Sequence, residues 1–369
     1  MEKNEFLDKL AAGKMTRREM TKALAGVGLS LVTMPLLPRR AGAATKPLIF
    51  EWSGYEVPEL HKSYLDKHGD SPDFSFFGEE EEALQKLRGG FKPDTVHPCV
   101  ENVLRYRLAG VVKPLDRSRL AYWDDMWSMF KKLDTIWHGD DLYMIPFDWG
   151  NSSILYRTDL VDIDEESWTL LWDERYKGRM ASYDSISNLL VAGLISGAKD
   201  PFAMTPDELE KASDLVRKQR DLMAFYWTGI SNVEQAMAAG ELVAAYAWNE
   251  GLVALQKQGV PVKFMNPKEG ILTWVCGIMR GADGPGDEDL VYDWINAMTS
   301  PESGKFLIED YGYGHSNAKA FDLVPKERLA ELGLSSPEAM LKTSIFFKTM
   351  DPDLEQEYNR IFEEIKAGI

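Results

Sequence analysis

Short apolar runs alternate with amphipathic stretches along most of this 369-residue chain. Pro47-Leu48-Ile49-Phe50-Glu51-Trp52 reads as a strand, and the spacing over 57–67 predicts a helix. Phe74-Ser75-Phe76 predicts a second strand, followed after Gly78 by a helix opening on Glu79, Glu80, Glu81 and Glu82. Four carboxylates in a first turn suit the positive end of a helix dipole. Gly89-Gly90 stops that helix. Asp94-Thr95-Val96-His97 is a short strand, and 101–109 a helix. Strand, helix, strand, helix at this spacing predicts a parallel sheet of the α/β class.

The second half repeats the grammar. Strands are predicted at 151–156, 179–183 and 242–248, with a helix at 189–195. Thr205-Pro206-Asp207-Glu208 is a capping box with proline at the first helical position. Ser231-Asn232-Val233-Glu234 has the form of a second one. Leu290, Trp294 and Met298 form an i, i+4, i+8 core stripe, and the last helix, starting at Asp351-Pro352, turns Leu354, Tyr358, Ile361 and Ile365 to one side. No solenoid period and no low-complexity tract interrupts the pattern.

The apolar run nearest the N-terminus differs. Residues 23–37 follow the pair Arg17-Arg18 and are broken by Pro35, Pro38, Arg39 and Arg40. Fifteen residues suit a signal h-region and fall short of a membrane span of about 20. Ala41-Gly42-Ala43 offers a small-x-small cleavage site. Residues 1–43 therefore read as an export signal, and Arg17-Arg18 resembles a twin-arginine signal, which implies a periplasmic protein. Beyond them stand 34 Lys and Arg against 55 Asp and Glu. That excess of negative charge argues against nucleic acid as a partner. It is compatible with a cationic ligand, though a saline habitat explains it equally well.

Catalytic and metal chemistry find little support. His61, His68, His97, His138 and His315 are scattered, with no H-E-x-x-H and no Cys/His cluster. No G-x-S-x-G elbow occurs. No catalytic residue, cofactor or metal is expected. Cys99 and Cys276 are the two cysteines, open either to one disulfide or to two small buried thiols.

Several short motifs resemble, in order and spacing, the periplasmic spermidine/putrescine-binding proteins of ABC importers. They are Trp52-Ser53-Gly54-Tyr55, Ile145-Pro146-Phe147-Asp148-Trp149-Gly150, Leu171-Trp172-Asp173, Tyr176-Lys177-Gly178, Ala247-Trp248-Asn249, Pro267-Lys268-Glu269-Gly270 and Gly312-Tyr313. The resemblance implies an α/β periplasmic binding protein fold of two lobes joined by crossing strands, with a ligand cleft between them. One lobe would comprise 44–150 and 275–317, the other 151–274 and 318–369. It also implies a monomer that closes on a small organic cation or zwitterion and presents it to an ABC permease in the inner membrane.

The resemblance places Trp52, Tyr55, Trp149, Trp248, Trp274 and Tyr313 at or near the family's binding aromatics. The other tryptophans, Trp123, Trp127, Trp137, Trp168, Trp172 and Trp294, are expected to pack. The family's carboxylates match less well. An acidic pair is reduced to Asp184 within Asp184-Ser185-Ile186-Ser187-Asn188, an aspartate becomes Cys276, a serine becomes Cys99, and Glu101 stands where an aromatic is frequent. Rings without carboxylates suit a methylated onium ion, which has no N–H to satisfy. The leading expectation is therefore a betaine, dimethylsulfoniopropionate, choline or carnitine in an aromatic cage. Ser53, Ser185, Asn188 and Thr273 would hold the ligand's carboxylate. The alternative is a polyamine, with Asp148, Asp184, Glu101 or Glu250 as substitute acceptors.

Overall fold

Apolar runs too short to be helices pair into one 12-stranded sheet and a separate two-stranded one, β5 with β6, and amphipathic stretches lie between them. The computed structural model describes residues 45–369 apart from 336, 339, 340, 342 and 343. The expected export signal, residues 1–43, lies outside the described residues. The first strands are β1 (Leu48–Trp52), β2 (Asp73–Phe77), β3 (Thr95–Val96), β4 (Val112–Lys113), β5 (Trp137–His138) and β6 (Asp141–Leu142). They are followed by β7 (Met144–Arg157), β8 (Met180–Tyr183), β9 (Met223–Trp227), β10 (Ala244–Trp248) and β11 (Val262–Phe264). Last come β12 (Leu272–Gly281), β13 (Gly314–His315) and β14 (Ile345–Phe346).

The spatial order β2-β1-β3-β12-β7-β10-β8-β9 shows the two-lobed α/β plan. β1 lies parallel between β2 and β3, and β8 parallel between β9 and β10. The long strands β7 and β12 run antiparallel between those two sets and pair from Met144 to Ser152. One apolar cluster gathers Phe50, Tyr106, Phe147 and Trp294; a second gathers Trp168, Met180, Trp227 and Tyr246. β7 contributes to both, with Trp149 in the first and Ile154 in the second. A third cluster joins the helices Ser187–Ser196, Pro206–Arg220 and Pro352–Ala367 through Leu189, Val216, Tyr358 and Phe362.

Most expected elements form where the pattern put them. The Thr205 capping box closes reciprocally on Glu208. The second expected box does not form: helix Ile230–Ala238 starts a residue before Ser231 and is capped at Gly229 without a side-chain bond. The final helix buries Phe362 beside Tyr358 and Ile365, while Leu354 and Ile361 are only half-buried. The packing of the C-terminal stretch also departs from the expected division. Phe321, Val324, Leu329, Leu332 and Leu341 join the first cluster, and helix Pro352–Ala367 packs in the third. Asn317 Nδ2 donates to the Thr299 carbonyl (3.0 Å), which ties the turn after β13 to the end of helix Glu288–Met298.

Candidate ligand-binding site

Parallel α/β units present their loops at the C-terminal ends of the strands, where ligands commonly sit. Both halves of this sheet do so around one cavity of about 320 Å³. Trp52, Ser53 and Tyr55 reach it from the turn after β1, Glu79 and Glu80 from the end of β2, and Cys99 and Glu101 from the loop after β3. Tyr183 and Thr228 stand at the ends of β8 and β9. Alternation along strands selects the rest: Asp148 and Ser152 on β7, Tyr246 and Trp248 on β10, and Trp274 and Cys276 on β12. Gly78, Ser187, Glu250, Tyr313 and Phe347 complete the wall. Gly150 is required where it stands, because a Cβ there would lie 2.2 Å from the ring of Trp274.

The carboxylates fall into two groups. Asp148 accepts from the Tyr55 hydroxyl (2.6 Å) and lies 3.0 Å from Nε2 of His97. Nδ1 of His97 lies 2.5 Å from Glu51. Burial disfavours an imidazolium at His97, but Glu51 and Asp148 outweigh it and raise its pKa to about 10. The Tyr313 hydroxyl donates to Glu250 (3.0 Å), whose pKa burial raises. Burial and the neighbouring acids, Asp148 for Tyr55 and Glu250 for Tyr313, push both phenols well above their usual value, so they serve as neutral donors.

The second group surrounds the loop after β3. Glu80 accepts from the Cys99 backbone N–H (2.7 Å) and the Tyr106 hydroxyl (3.1 Å). Burial nevertheless pushes Glu80 to about 8 and Glu101 to about 7. Oε2 of Glu101 is buried without a hydrogen-bond partner. Eight rings share the cavity with these acids; Trp274 meets Tyr313 edge to face at 4.9 Å, and Trp248 meets Tyr183 at 5.2 Å. Cys99 and Cys276 form a disulfide in the cavity wall, which resolves the alternative left open by the sequence.

Of the ten residues singled out from the sequence, the structure brings Trp52, Ser53, Tyr55, Trp248, Trp274 and Tyr313 together on this cavity. Four lie elsewhere. Trp149 points to the opposite side of β7 from Asp148, is fully buried, stacks on Phe321 and donates to the His315 carbonyl (3.2 Å). Gly314 leaves the space for that ring. Asp184 is held by Lys366 at 2.7 Å. Ser185 bonds to Ser187 (2.8 Å), and Asn188 braces its own turn through Ser182 and the carbonyls of Tyr183 and Ser185. Thr273 is likewise satisfied inside the fold, donating to Asn151 (2.7 Å).

The sequence reading missed Glu79, Glu80, Tyr183 and Tyr246 as cavity residues. Glu79 and Glu80 are indistinguishable in the sequence from first-turn acids that suit a helix dipole, whereas Tyr246 shares one side of its strand with Trp248 by a spacing of two. Among the described residues no group of three or more His, Cys, Asp and Glu is placed to hold a metal ion, and no helix is long and apolar enough to cross a membrane.

Residues 78–332 match the family described as bacterial extracellular solute-binding protein. Over 341 residues, 87% of this chain and 91% of the relative, the sequence is 25% identical to the putrescine-binding periplasmic protein PotF of Escherichia coli. A solved spermidine/putrescine transporter substrate-binding protein PotD from Streptococcus pneumoniae shares the fold with a TM-score of 0.75 at 22% identity, covering 88% of this chain and 99% of that one. The binding protein MotA of Agrobacterium tumefaciens, solved with glucopine, has a TM-score of 0.70 at 15% identity, over 87% and 99% of the two chains. These solved structures bear on the fold, and their ligands differ.

Proposed function

This chain belongs to the bacterial extracellular solute-binding protein family, and from that premise we propose that it captures an aliphatic polyamine of the putrescine class for an ABC permease. The observation that carries this reading is the pairing of aromatic faces with two groups of carboxylates in one cavity. A primary ammonium is costly to bury unless acceptors meet its N–H donors. Charge-assisted bonds contribute about 1.5–3 kcal/mol each. Asp148 and Glu250 would receive one ammonium, and Glu79, Glu80 and Glu101 another. Trp52, Tyr55, Trp248, Trp274 and Tyr313 would cover the methylene chain, and Ser53 would add a polar contact at the mouth. The relative named for putrescine supports the same choice.

A methylated onium ion is the second reading, favoured by the eight rings. Each ring suits such a cation by about 0.5–2 kcal/mol. It has no N–H, however, and would leave Oε2 of Glu101 without a donor. The sequence favours this ligand because only Asp184 remains at the family's acidic positions. Acids from other positions line the cavity, and they favour the amine.

Residues 1–43 direct export by the twin-arginine route to the periplasm. The mature chain acts as a monomer whose lobes, meeting at β7 and β12, close on the ligand. Closure follows from contacts made to both lobes, which favour the closed state by differential affinity. Thermal unfolding of ligand-stripped protein tests the ligand class. At a hundredfold excess over Kd a true ligand adds about 2.7 kcal/mol. Putrescine or spermidine should raise the midpoint, while glycine betaine, choline, carnitine and dimethylsulfoniopropionate leave it in place. The reverse pattern would assign the methylated cation.

A further inference from the structure

The Cys99–Cys276 bridge joins positions 177 residues apart, and both cysteines line the cavity. Its surroundings are acidic on either side. The Cys99 N–H donates to Glu80 (2.7 Å), and Glu101 follows two residues later. Across the bridge, Cys276 is paired with Asp148 in the β12–β7 register. That register slips between Cys276 and Gly277. Such an irregularity bends a strand and re-aims its side chains. The Gly277 N–H bonds to the Pro98 carbonyl (3.0 Å) beside it. One covalent link thus ties the loop carrying Glu101 to the strand facing Asp148, at the point where the crossing strands are irregular.

A disulfide sulfur is at best a weak acceptor, so the bridge has little to offer an ammonium directly. Its consequence is geometric. A two-ended cation gains both sets of charge-assisted bonds only when its length matches the separation of the two acidic groups, and rigid placement of the acceptors sharpens that match. We propose that the Cys99–Cys276 bridge is a positioning element that sets this separation, and thereby selects the length of the α,ω-diamine the cleft prefers. This rests on the polyamine reading above.

The test is calorimetric titration with 1,3-diaminopropane, putrescine, cadaverine and 1,6-diaminohexane. It uses oxidised protein, protein reduced in its native state with dithiothreitol, and the double variant C99S/C276S, with circular dichroism to establish that each is folded. A purely stabilising bridge would leave the length profile unmoved. Oxidised protein should prefer one length by roughly tenfold over its neighbours, the worth of one charge-assisted bond. Opening the bridge should flatten the preference to within about threefold and weaken the best ligand by about tenfold. Should the variant fail to fold, reduced wild-type protein carries the comparison. The same preferred length with the same margin after opening, or no preference in the oxidised protein, would overturn the inference while leaving the polyamine reading intact. Binding of no diamine at all would remove both.

Discussion

His97 joins two buried carboxylates beside the cleft. It sits fully buried between Glu51 and Asp148 and holds Asp148 against the cavity. Replacing it by leucine leaves two buried carboxylates without their counter-charge, and breaking such a pairing costs about 3–5 kcal/mol. Chemical denaturation of His97→Leu should show a loss of that size. With a folded pKa of about 10 against an ordinary 6.5, His97 contributes stability in full below pH 6.5 and loses it as pH rises through 10. Glu80 and Glu101 act in the same direction. Their pKa values are raised from 4.5 to about 8 and about 7, so the empty protein loses their contribution as pH rises through those values. A bound cation reverses the preference. Diamine affinity should therefore rise from pH 6 to pH 8, with protons released on binding. Calorimetry in buffers of different ionisation enthalpy measures that release; affinity falling over the same range would contradict it. Much of this chemistry was hidden in the sequence. Glu79 and Glu80 read as ordinary first-turn acids, and only the three-dimensional arrangement places them in the wall of one cavity. The rings Trp52, Tyr55, Trp248 and Tyr313 were legible because they sit in recognisable motifs, and Trp274 because it follows the Pro267–Gly270 motif into the crossing strand. Trp149 shows the limit of that reading: a residue can share a motif with Asp148 yet point to the other side of the strand.

Among the elements, the crossing strands explain most of the site. β7 and β12 present Asp148, Ser152, Trp274 and Cys276 at alternate positions while Trp149 and Val275 enter the core. Their close approach depends on Gly150. Gly150→Ala would drive a methyl into the Trp274 ring, and the ring has to move to accommodate it. The expected outcome is a fall in affinity of roughly tenfold, the scale of one displaced aromatic contact of about 1–2 kcal/mol. The cost in stability should lie within the 1–3 kcal/mol typical of overpacking. Calorimetry alongside denaturation separates the two; unchanged affinity would show that Trp274 does not touch ligand. The sequence yielded the short strands and the Thr205 cap because those signals are local. It gave only 151–156 of β7, since the proline and aspartate within 144–150 break the alternation that marks a strand. It placed a capping box at Ser231 that does not form, because the helix already starts at Ile230 with Gly229 as its cap.

For the whole molecule, the alternating grammar of strands and helices was enough to indicate two parallel α/β units, and the motif order supplied the plan that joins them. What it lacked were contacts between residues far apart in the chain. Phe321, Val324, Leu329 and Leu332 pack in the first cluster, and the disulfide joins the loop after β3 to strand β12, 177 residues further on. Neither leaves a local trace. The basis for proposing an amine was hidden for the same reason, because the cavity's acids come from β7, from the starts of helices Glu80–Arg88 and Asn249–Lys257, and from the loop after β3. Titration calorimetry of residues 44–369, refolded to strip endogenous ligand, is the most direct measurement of the central claim. Putrescine or spermidine should bind in the micromolar range or tighter, with glycine betaine and choline silent. Tight binding of a methylated cation with the polyamines silent would contradict the amine reading and return the cleft to an aromatic cage.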